Sequence, residues 1–360
     1  MNCGLDLLNL DPYSQDKKQK EEQLTRHLLE LTAHHRQKCP EYRRYLKARN
    51  FHEEEVQSYY DLPFIPVNLF KELSLKSIPD TEIFKTMTSS GTTGQQVSKI
   101  YLDRETAGNQ QKVLVKIVSH LLGKSRMPML IIDSPSVIKN RAMFSARGAG
   151  ILGFSIFGTD KTYALDDEMH LNLPEIKEFL TRHTGERILL FGFTFMIWQH
   201  FYGELKKQSE KLDFSNAVLI HGGGWKKLLH ESVSPEQFKK DLYDLCGISH
   251  VHDYYGMVEQ TGCIYVECEY GHLHASVFSD VVMRRPRDFS VCDIGEAGIV
   301  QVLSTIPYSY PGHSLLTEDE GIILGEDDCP CGRKGKYFKI LGRLKDAEIR
   351  GCSDTYAAKY

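Results

Sequence analysis

Apolar positions along the chain follow two rhythms. Between Gln15 and Asn50, Leu24, Leu28, Leu29 and Leu31 repeat at roughly helical spacing while Arg26, Lys38, Arg43 and Arg44 take the other faces, which predicts one or two surface helices. Leu62-Pro63-Phe64-Ile65-Pro66 cannot continue a helix through two prolines and predicts an extended entry into the main body. Beyond it, short runs rich in β-branched residues (Met129–Asp133, Ile188–Gly192, Ala217–His221) alternate with helical-looking Leu173–His183 and Phe195–Gln208. That alternation predicts an α/β fold with largely parallel strands. From Gly298 the rhythm changes to short strands and turns, from Ile299–Leu303 to Ile340-Leu341-Gly342-Arg343, which predicts a small β subdomain near the end of the chain.

Composition narrows the function classes. The 360 residues allow about two domains or one large α/β unit. A formal charge of −4 gives no basis for a nucleic-acid surface, and no apolar run approaches the length of a membrane span. Met1–Asp16 lacks a basic start followed by an apolar stretch, so no signal peptide is expected and a cytoplasmic location is. Nine cysteines, an odd number at irregular spacing, fit reduced thiols with some used for metal or catalysis.

Thr88-Ser89-Ser90-Gly91-Thr92-Thr93-Gly94 follows Ile83–Thr86, where a strand is expected. Glycines let backbone N–H groups converge and the hydroxyls add donors, so the loop suits a polyphosphate. It lacks the Gly-Lys-Ser/Thr ending of a Walker loop. The loop resembles the phosphate loop of the adenylate-forming superfamily, and further segments follow in that family's order. His221-Gly222-Gly223-Gly224-Trp225-Lys226 looks like its adenine-contacting turn, and Asp253-Tyr254-Tyr255-Gly256-Met257-Val258-Glu259 like its Asn-x-Tyr-Gly-x-Thr-Glu segment. Thr317-Glu318-Asp319 looks like Thr-Gly-Asp, and Gly342-Arg343-Leu344-Lys345-Asp346 like the Gly-Arg-x-x-Asp hinge.

The resemblance implies the large N-terminal domain of an adenylate-forming enzyme, with mixed sheets flanked by helices and a small β subdomain, using ATP and Mg²⁺. It places Ser89, Ser90, Gly91, Thr92, Thr93 and Gly94 on the phosphates and Glu259 on Mg²⁺. Gly223, Gly224, Trp225, Asp253, Tyr255 and Gly256 would then contact adenine, and Asp319 and Arg343 the ribose hydroxyls. Val258 stands where the family has Thr, and Gln95-Gln96 where it has Pro-Lys; Lys99 is a candidate replacement for that cation.

Coenzyme A ligases of this superfamily continue after the hinge into a mobile lid domain. Residues 347–360 are too few to form one, so the lid is expected to be absent. With the Gly-Gly-Gly-Trp-Lys turn and Gly351-Cys352, this resembles the acyl-protein synthetases, the synthetase component of the bacterial bioluminescence fatty acid reductase. In that family a cysteine near the C-terminus takes the acyl group as a thioester and passes it to a reductase, and Cys352 sits at the matching place. The implied organisation is an N-terminal helical region over 1–60 packing on the main domain, an adenylate-forming domain over 61–342, and a hinge remnant and tail over 343–360. Partners would be a carboxylic acid, fatty or otherwise hydrophobic, activated as acyl-AMP, and an acyl-accepting protein such as a reductase. Two alternatives stand beside it: a phenylacetate-type coenzyme A or carrier-protein ligase lacking its lid, and a non-catalytic nucleotide-binding scaffold.

A second cysteine cluster is independent of these motifs. Cys329-Pro330-Cys331-Gly332-Arg333 is a tight thiol pair, and Cys268-Glu269-Tyr270-Gly271-His272-Leu273-His274 adds one thiol and two imidazoles. Cys268, Cys329, Cys331 and one histidine, His274 in preference with His272 open, make a tetrahedral structural Zn²⁺ set; Cys263 is a less favoured ligand. Phe191–Phe195 with Ile197 and Trp198 are candidates for an acyl pocket, with plain core as the commoner outcome for such a stripe.

Overall fold

The computed structural model describes residues 6–89, 97–138, 146–225 and 231–344. The chain divides into two compact units. The first combines residues 1–89, 94–123 and 256–348, and the second is built mainly from 124–255.

The first unit opens with α1 (Lys17–Lys38) and α2 (Pro40–Ala48). Asp16 caps α1 with a full capping box, and Pro40 occupies the first turn of α2, so both helix starts follow from local chemistry. The leucine stripe is as expected, with Leu24, Leu28 and Leu31 wholly buried against Tyr59, Leu62, Val282 and Leu303. The expectation of a surface helix is corrected in one respect: Lys20, His27, Thr32 and His35 are buried too. Lys20, Thr32 and His35 find hydrogen-bond partners in the same unit, and His27 Nε2 lies 3.5 Å from Asp6, which is what lets a polar flank go inside. The two prolines of residues 62–66 give a short extended strand, β1 (Ile65–Pro66), followed by one helical turn, α3 (Leu69–Glu72). A hairpin, β2 (Lys85–Thr88) with β3 (Lys99–Leu102), leads into α4 (Arg104–Leu122).

In the second unit β4 (Met127–Ile132), β5 (Gly158–Tyr163), β6 (Ile188–Phe193), β7 (Ala217–Gly222) and β8 (His250–Tyr255) form a parallel run in the order β8-β7-β6-β4-β5. Helices α5 (Ala146–Phe154), α6 (Leu173–Arg182), α7 (Thr194–Met196), α8 (Gly203–Lys207) and α9 (Pro235–Cys246) connect them. Residues 194–207 are one helical stretch with a π-turn over Ile197–Tyr202. Every residue of β4, β6 and β7 is buried, and such continuous apolar runs are the mark of parallel strands covered on both faces. One face packs Leu130, Ile132, Leu190 and Leu219 against Ile176, Phe179, Ile197, Phe201 and Phe238.

Back in the first unit, β9 (Tyr265–Glu267), β10 (Leu273–His274), β11 (Ser279–Arg284), β12 (Ala297–Ser304), β13 (Ser314–Glu326) and β14 (Lys336–Arg343) run in the order β11-β12-β13-β14-β10-β9, antiparallel throughout. β1 adds in parallel to β13. The expected β region therefore exists and starts earlier than Gly298, at β9. The sheets are mixed and flanked by helices, as expected of an adenylate-forming N-terminal domain.

Candidate functional site

The hydroxyl-rich segment follows β2 and precedes β3 in sequence, with Ser89 and Ser98 the described residues on its two sides. Its base is closed twice: the Ser89 amide donates to the Ser98 carbonyl at 3.2 Å, and the Ser98 amide donates to the Ser89 hydroxyl at 2.9 Å. Ser89 thus serves the loop's own closure. Ser90, Gly91, Thr92, Thr93 and Gly94 lie outside the described residues, as does Cys352. Lys99 is exposed on β3.

In the first unit, Glu259 lies in a single turn, Val258–Gln260, and is 6% exposed. Burial pushes its carboxyl up, and the Ser98 hydroxyl pulls the other way. The carboxylate of Glu318 raises it further while Arg343 lowers it, so all three groups share one electrostatic environment. Asp319 and Arg343 are direct cross-strand partners in the β13–β14 ladder. Arg343 Nε stands 3.7 Å from Asp319 Oδ1, and its Nη1 4.0 Å from Glu318 Oε2. The two residues expected at the ribose are therefore neighbours, and the extra carboxylate at 318 also faces the guanidinium. Three carboxylates against one arginine leave net negative charge, the chemistry a hard divalent cation such as Mg²⁺ takes.

In the second unit, candidate residues gather at the carboxyl ends of parallel strands, where open α/β sheets place their ligands. His221 ends β7 buried, and its Nδ1 lies 2.9 Å from the Thr194 hydroxyl and 3.7 Å from Asp253 on β8. Burial pushes the His221 imidazole down to about 3, so it is neutral here. Gly222 has the Tyr254 ring against it: a Cβ would meet that ring at 2.6 Å. Gly223 adopts φ +78° in the following turn, and Gly224 is exposed. Tyr255 ends β8, half-buried; Gly256, also half-buried, begins the 256–348 segment of the first unit. Trp225 packs edge-on to Trp198 at 5.4 Å and onto the apolar core, so its ring serves packing. The aromatic stripe divides between two faces. Phe191 stacks on Phe154 at 4.4 Å, whereas Ile197 and Trp198 join the opposite core.

Sequence reasoning missed a buried ion pair at the end of β4: Asp133 Oδ2 lies 3.1 Å from Arg147 Nε, both buried. Burial pushes the Asp133 carboxyl up to about 6 although Arg147 opposes it. The polar Asp133-Ser134 closing an all-apolar strand is a local cue; Arg147 offers none.

The thiol cluster is the most complete arrangement. Cys268, His274, Cys329 and Cys331 present ligand atoms all within 4.8 Å of one another. Four ligands about 2.3 Å from a tetrahedral Zn²⁺ stand ~3.8 Å apart. Here the Cys268 and Cys329 sulfurs are 4.0 Å apart, and Cys331 Sγ is 3.4 Å from His274 Nε2. Burial pushes His274 down to about 3, leaving the neutral imidazole a metal requires, and pushes the Cys329 thiol up to about 12. His272 is beside the set: its Nδ1 lies 3.4 Å from Cys329 Sγ, placed to donate to a thiolate. Cys263 is elsewhere, its sulfur accepting from Ser304 at 3.1 Å. The residues fit Zn²⁺.

The described family LuxE acyl-protein synthetase matches residues 4–360. The chain belongs to this family. It is similar to a long-chain-fatty-acid–luciferin-component ligase of Vibrio harveyi, 23% identical over 97% of this chain and 91% of that protein. A protein of the same description from Aliivibrio fischeri is 22% identical over 89% of this chain and 84% of its own. Among solved structures, 2-hydroxyisobutyryl-CoA ligase bound to 2-HIB-AMP in the postadenylation state superposes with TM-score 0.71 at 14% identity, over 92% of this chain and 69% of that one. An open conformation of the same ligase with 2-HIB-AMP and CoA gives 0.70, over 93% and 77%. The chain is thus a ligase of this family with an adenylate-forming fold, and family and fold together support acyl activation by ATP. Among the described residues no helix is long and apolar enough to cross a membrane.

Proposed function

We propose that the protein activates a long-chain fatty acid as acyl-AMP and loads it onto its own Cys352 for delivery to an acyl reductase. The family match, which runs to residue 360 and so includes Cys352, is the observation that carries this reading. The names of the Vibrio and Aliivibrio relatives support a long-chain fatty acid over the other carboxylic acids considered.

In the first half-reaction the substrate carboxylate attacks the α-phosphorus of ATP, the acyl C–O–P bond forms, and the bond to pyrophosphate breaks. Mg²⁺ supplies charge neutralisation on the leaving pyrophosphate. Glu259, within the field of Glu318, would hold the cation, and Asp319 and Arg343 the ribose hydroxyls. The loop carrying Ser90, Gly91, Thr92, Thr93 and Gly94 would donate to the phosphates, while Asp253, Tyr255, Gly256, Gly223 and Gly224 would frame adenine. In the second half-reaction the Cys352 thiolate attacks the acyl carbon, the C–S bond forms, and AMP leaves with the electron pair of the broken C–O bond. The thioester then passes to the partner's acceptor. Cys268, His274, Cys329 and Cys331 would hold a structural Zn²⁺, with all four positions filled by protein.

The test is fatty-acid-dependent ATP–pyrophosphate exchange across a panel of saturated acids. Glu259→Gln, or Thr92→Ala with Thr93→Ala, should lower exchange at least about tenfold, the scale of one lost charge-assisted contact. Wild-type exchange in these folded variants would reject the adenylation site.

A further inference from the structure

Glu259 sits in a turn of three residues, outside every ladder, yet it is almost completely buried. Such a turn cannot fix its own direction, so what holds it has to come from elsewhere. The hydroxyl of Tyr310 donates to the Glu259 carbonyl at 2.8 Å. The Gln260 side-chain amide donates to the Gly312 carbonyl at 2.8 Å and to the Val302 carbonyl at 3.2 Å. Gly312 lies so close that a Cβ there would meet the Glu259 carbonyl oxygen at 2.9 Å and the Tyr310 ring at 2.2 Å. All of these residues belong to the first unit.

The segment from Pro307 to His313 is itself held along its length. His35 donates from Nε2 to the Pro307 carbonyl at 3.1 Å, and His34 likewise to Tyr308 at 3.1 Å. The Ser77 amide donates to the Ser309 carbonyl at 2.7 Å, and the Ser309 hydroxyl to the Tyr101 carbonyl at 2.8 Å. The Ser304 amide closes on the His313 carbonyl at 2.9 Å. Tyr310 is wholly buried, edge-on to Phe70 at 6.1 Å, so its ring has a single position. Burial holds its phenol protonated, and the nearby Glu259 carboxylate acts in the same direction, which keeps the hydroxyl a donor.

We infer that Tyr310 is a positioning residue for Glu259: its hydroxyl, locked by the segment 307–313, fixes the main chain of the turn and so aims the carboxylate. The inference rests on the reading above that Glu259 holds the magnesium of Mg-ATP. Tyr310 touches no substrate; it acts through Glu259. Its hydroxyl is the least that can be removed without opening the core.

Tyr310→Phe in the full chain keeps the ring and deletes the donor. Exchange with ATP, MgCl₂ and a saturated fatty acid should show kcat down about fivefold and the half-saturating Mg²⁺ concentration up by a similar factor, with the KM of the fatty acid unchanged. Mn²⁺ binding in the presence of ATP, read by electron paramagnetic resonance, should weaken in parallel. Adding Tyr310→Phe to Glu259→Gln should cost nothing further, because the first acts only through the second. Tyr265→Phe removes another wholly buried hydroxyl, one that donates to the Asp280 carbonyl at 3.0 Å, and should leave the Mg²⁺ requirement alone. Wild-type Mg²⁺ dependence in Tyr310→Phe beside a shifted Glu259→Gln would overturn the inference and leave the adenylation reading standing, as would effects that multiply in the double variant. Wild-type behaviour of Glu259→Gln itself would remove both.

Discussion

Asp280 on β11 is the counter-ion of two buried ammonium groups, and replacing it by Asn should be among the most destabilising single changes in the first unit. Lys20 of α1 stands 3.5 Å from its Oδ1 and Lys336 of β14 3.2 Å from its Oδ2; the three are 2%, 6% and, for Asp280, 1% exposed. Tyr59 donates to Oδ2 at 2.5 Å and the Val281 amide to Oδ1 at 2.9 Å. Burial alone would raise the Asp280 carboxyl, but Lys20 and Lys336 hold it below its usual range. The lysines differ. Burial wins at Lys20 and pulls it down, whereas at Lys336 burial is overcome by Asp280 and Tyr60 and the group is raised. Asp280 and, more weakly, Glu326 act on both ammoniums, while Tyr60 adds its support to Lys336 alone. Asp280→Asn keeps the shape but strands both cations, and removing one partner of a buried pair costs about 3–5 kcal/mol. Lys20→Met keeps the best-paired half, Asp280 with Lys336, and removes the ammonium at which burial outweighs its ion pairing, so its cost should stay within ~1 kcal/mol despite losing the donation to the Ala275 carbonyl at 3.0 Å. Both tryptophans, Trp198 and Trp225, lie in the second unit, so their fluorescence reports the wrong region. Urea unfolding followed by hydrogen exchange of β11, β14 and α1 peptides reports the right one. Asp280→Asn should shift the midpoint down by about 1 M or more. A shift below about 0.3 M, or an equal loss in Lys20→Met, would refute the argument.

Metal analysis of protein purified without chelator should give about one zinc per chain, and chelation should expose β9–β10 and β13–β14 peptides to exchange; less than about 0.2 zinc with unchanged exchange would reject the site. Incubation with ATP, Mg²⁺ and a labelled fatty acid should leave label on the polypeptide that neutral hydroxylamine releases. Cys352→Ser should lose that label while keeping pyrophosphate exchange, because adenylation needs no thiol; persistent label would point to the lidless ligase alternative. His35 and His313 are both held low by burial, His313 at about 3, so the unfolded chain binds more protons than the folded one. Their contribution is complete above about 6.5 and falls as the pH drops below it, by up to ~1.4 kcal/mol per pH unit for each ring, so urea midpoints should fall between pH 7 and pH 5.5 and His313→Asn should flatten the slope.

What could be read from the sequence was what chemistry keeps local. Asp319 and Arg343 stand in short motifs, and the β13–β14 ladder then pairs them directly. The cysteine cluster was legible for the same reason twice over. Each half sits by a tight hairpin turn, and β10 pairs with β14, so two local patterns meet in one site. The choice between His272 and His274 was not legible, since residues two apart in an extended segment share a face. Both do reach the sulfurs. His274 offers Nε2 to the set, and His272 comes close to Cys329 alone.

The groups that escaped sequence reading are those whose meaning depends on a distant partner. Lys20 looks like one more charge on an amphipathic helix until Asp280 and Lys336 close around it, and His34-His35 look like surface or core fillers until their rings find the carbonyls of Pro307 and Tyr308. A buried polar side chain is tolerated only when its partners are in place. These contacts therefore constrain the fold more tightly than an equal area of leucine would, because an apolar neighbour accepts many arrangements and a donor accepts few. In this chain the constraint passes from α1 through the segment 307–313 to Tyr310, and from its hydroxyl to the turn that carries Glu259. An N-terminal helix that never approaches the phosphate loop in sequence is thereby coupled to the carboxylate on which adenylation is proposed to depend. Substitutions at His35 should for that reason raise the half-saturating Mg²⁺ concentration of exchange as well as lower the urea midpoint, because the ring is wholly buried and bonds both Ser77 and the Pro307 carbonyl.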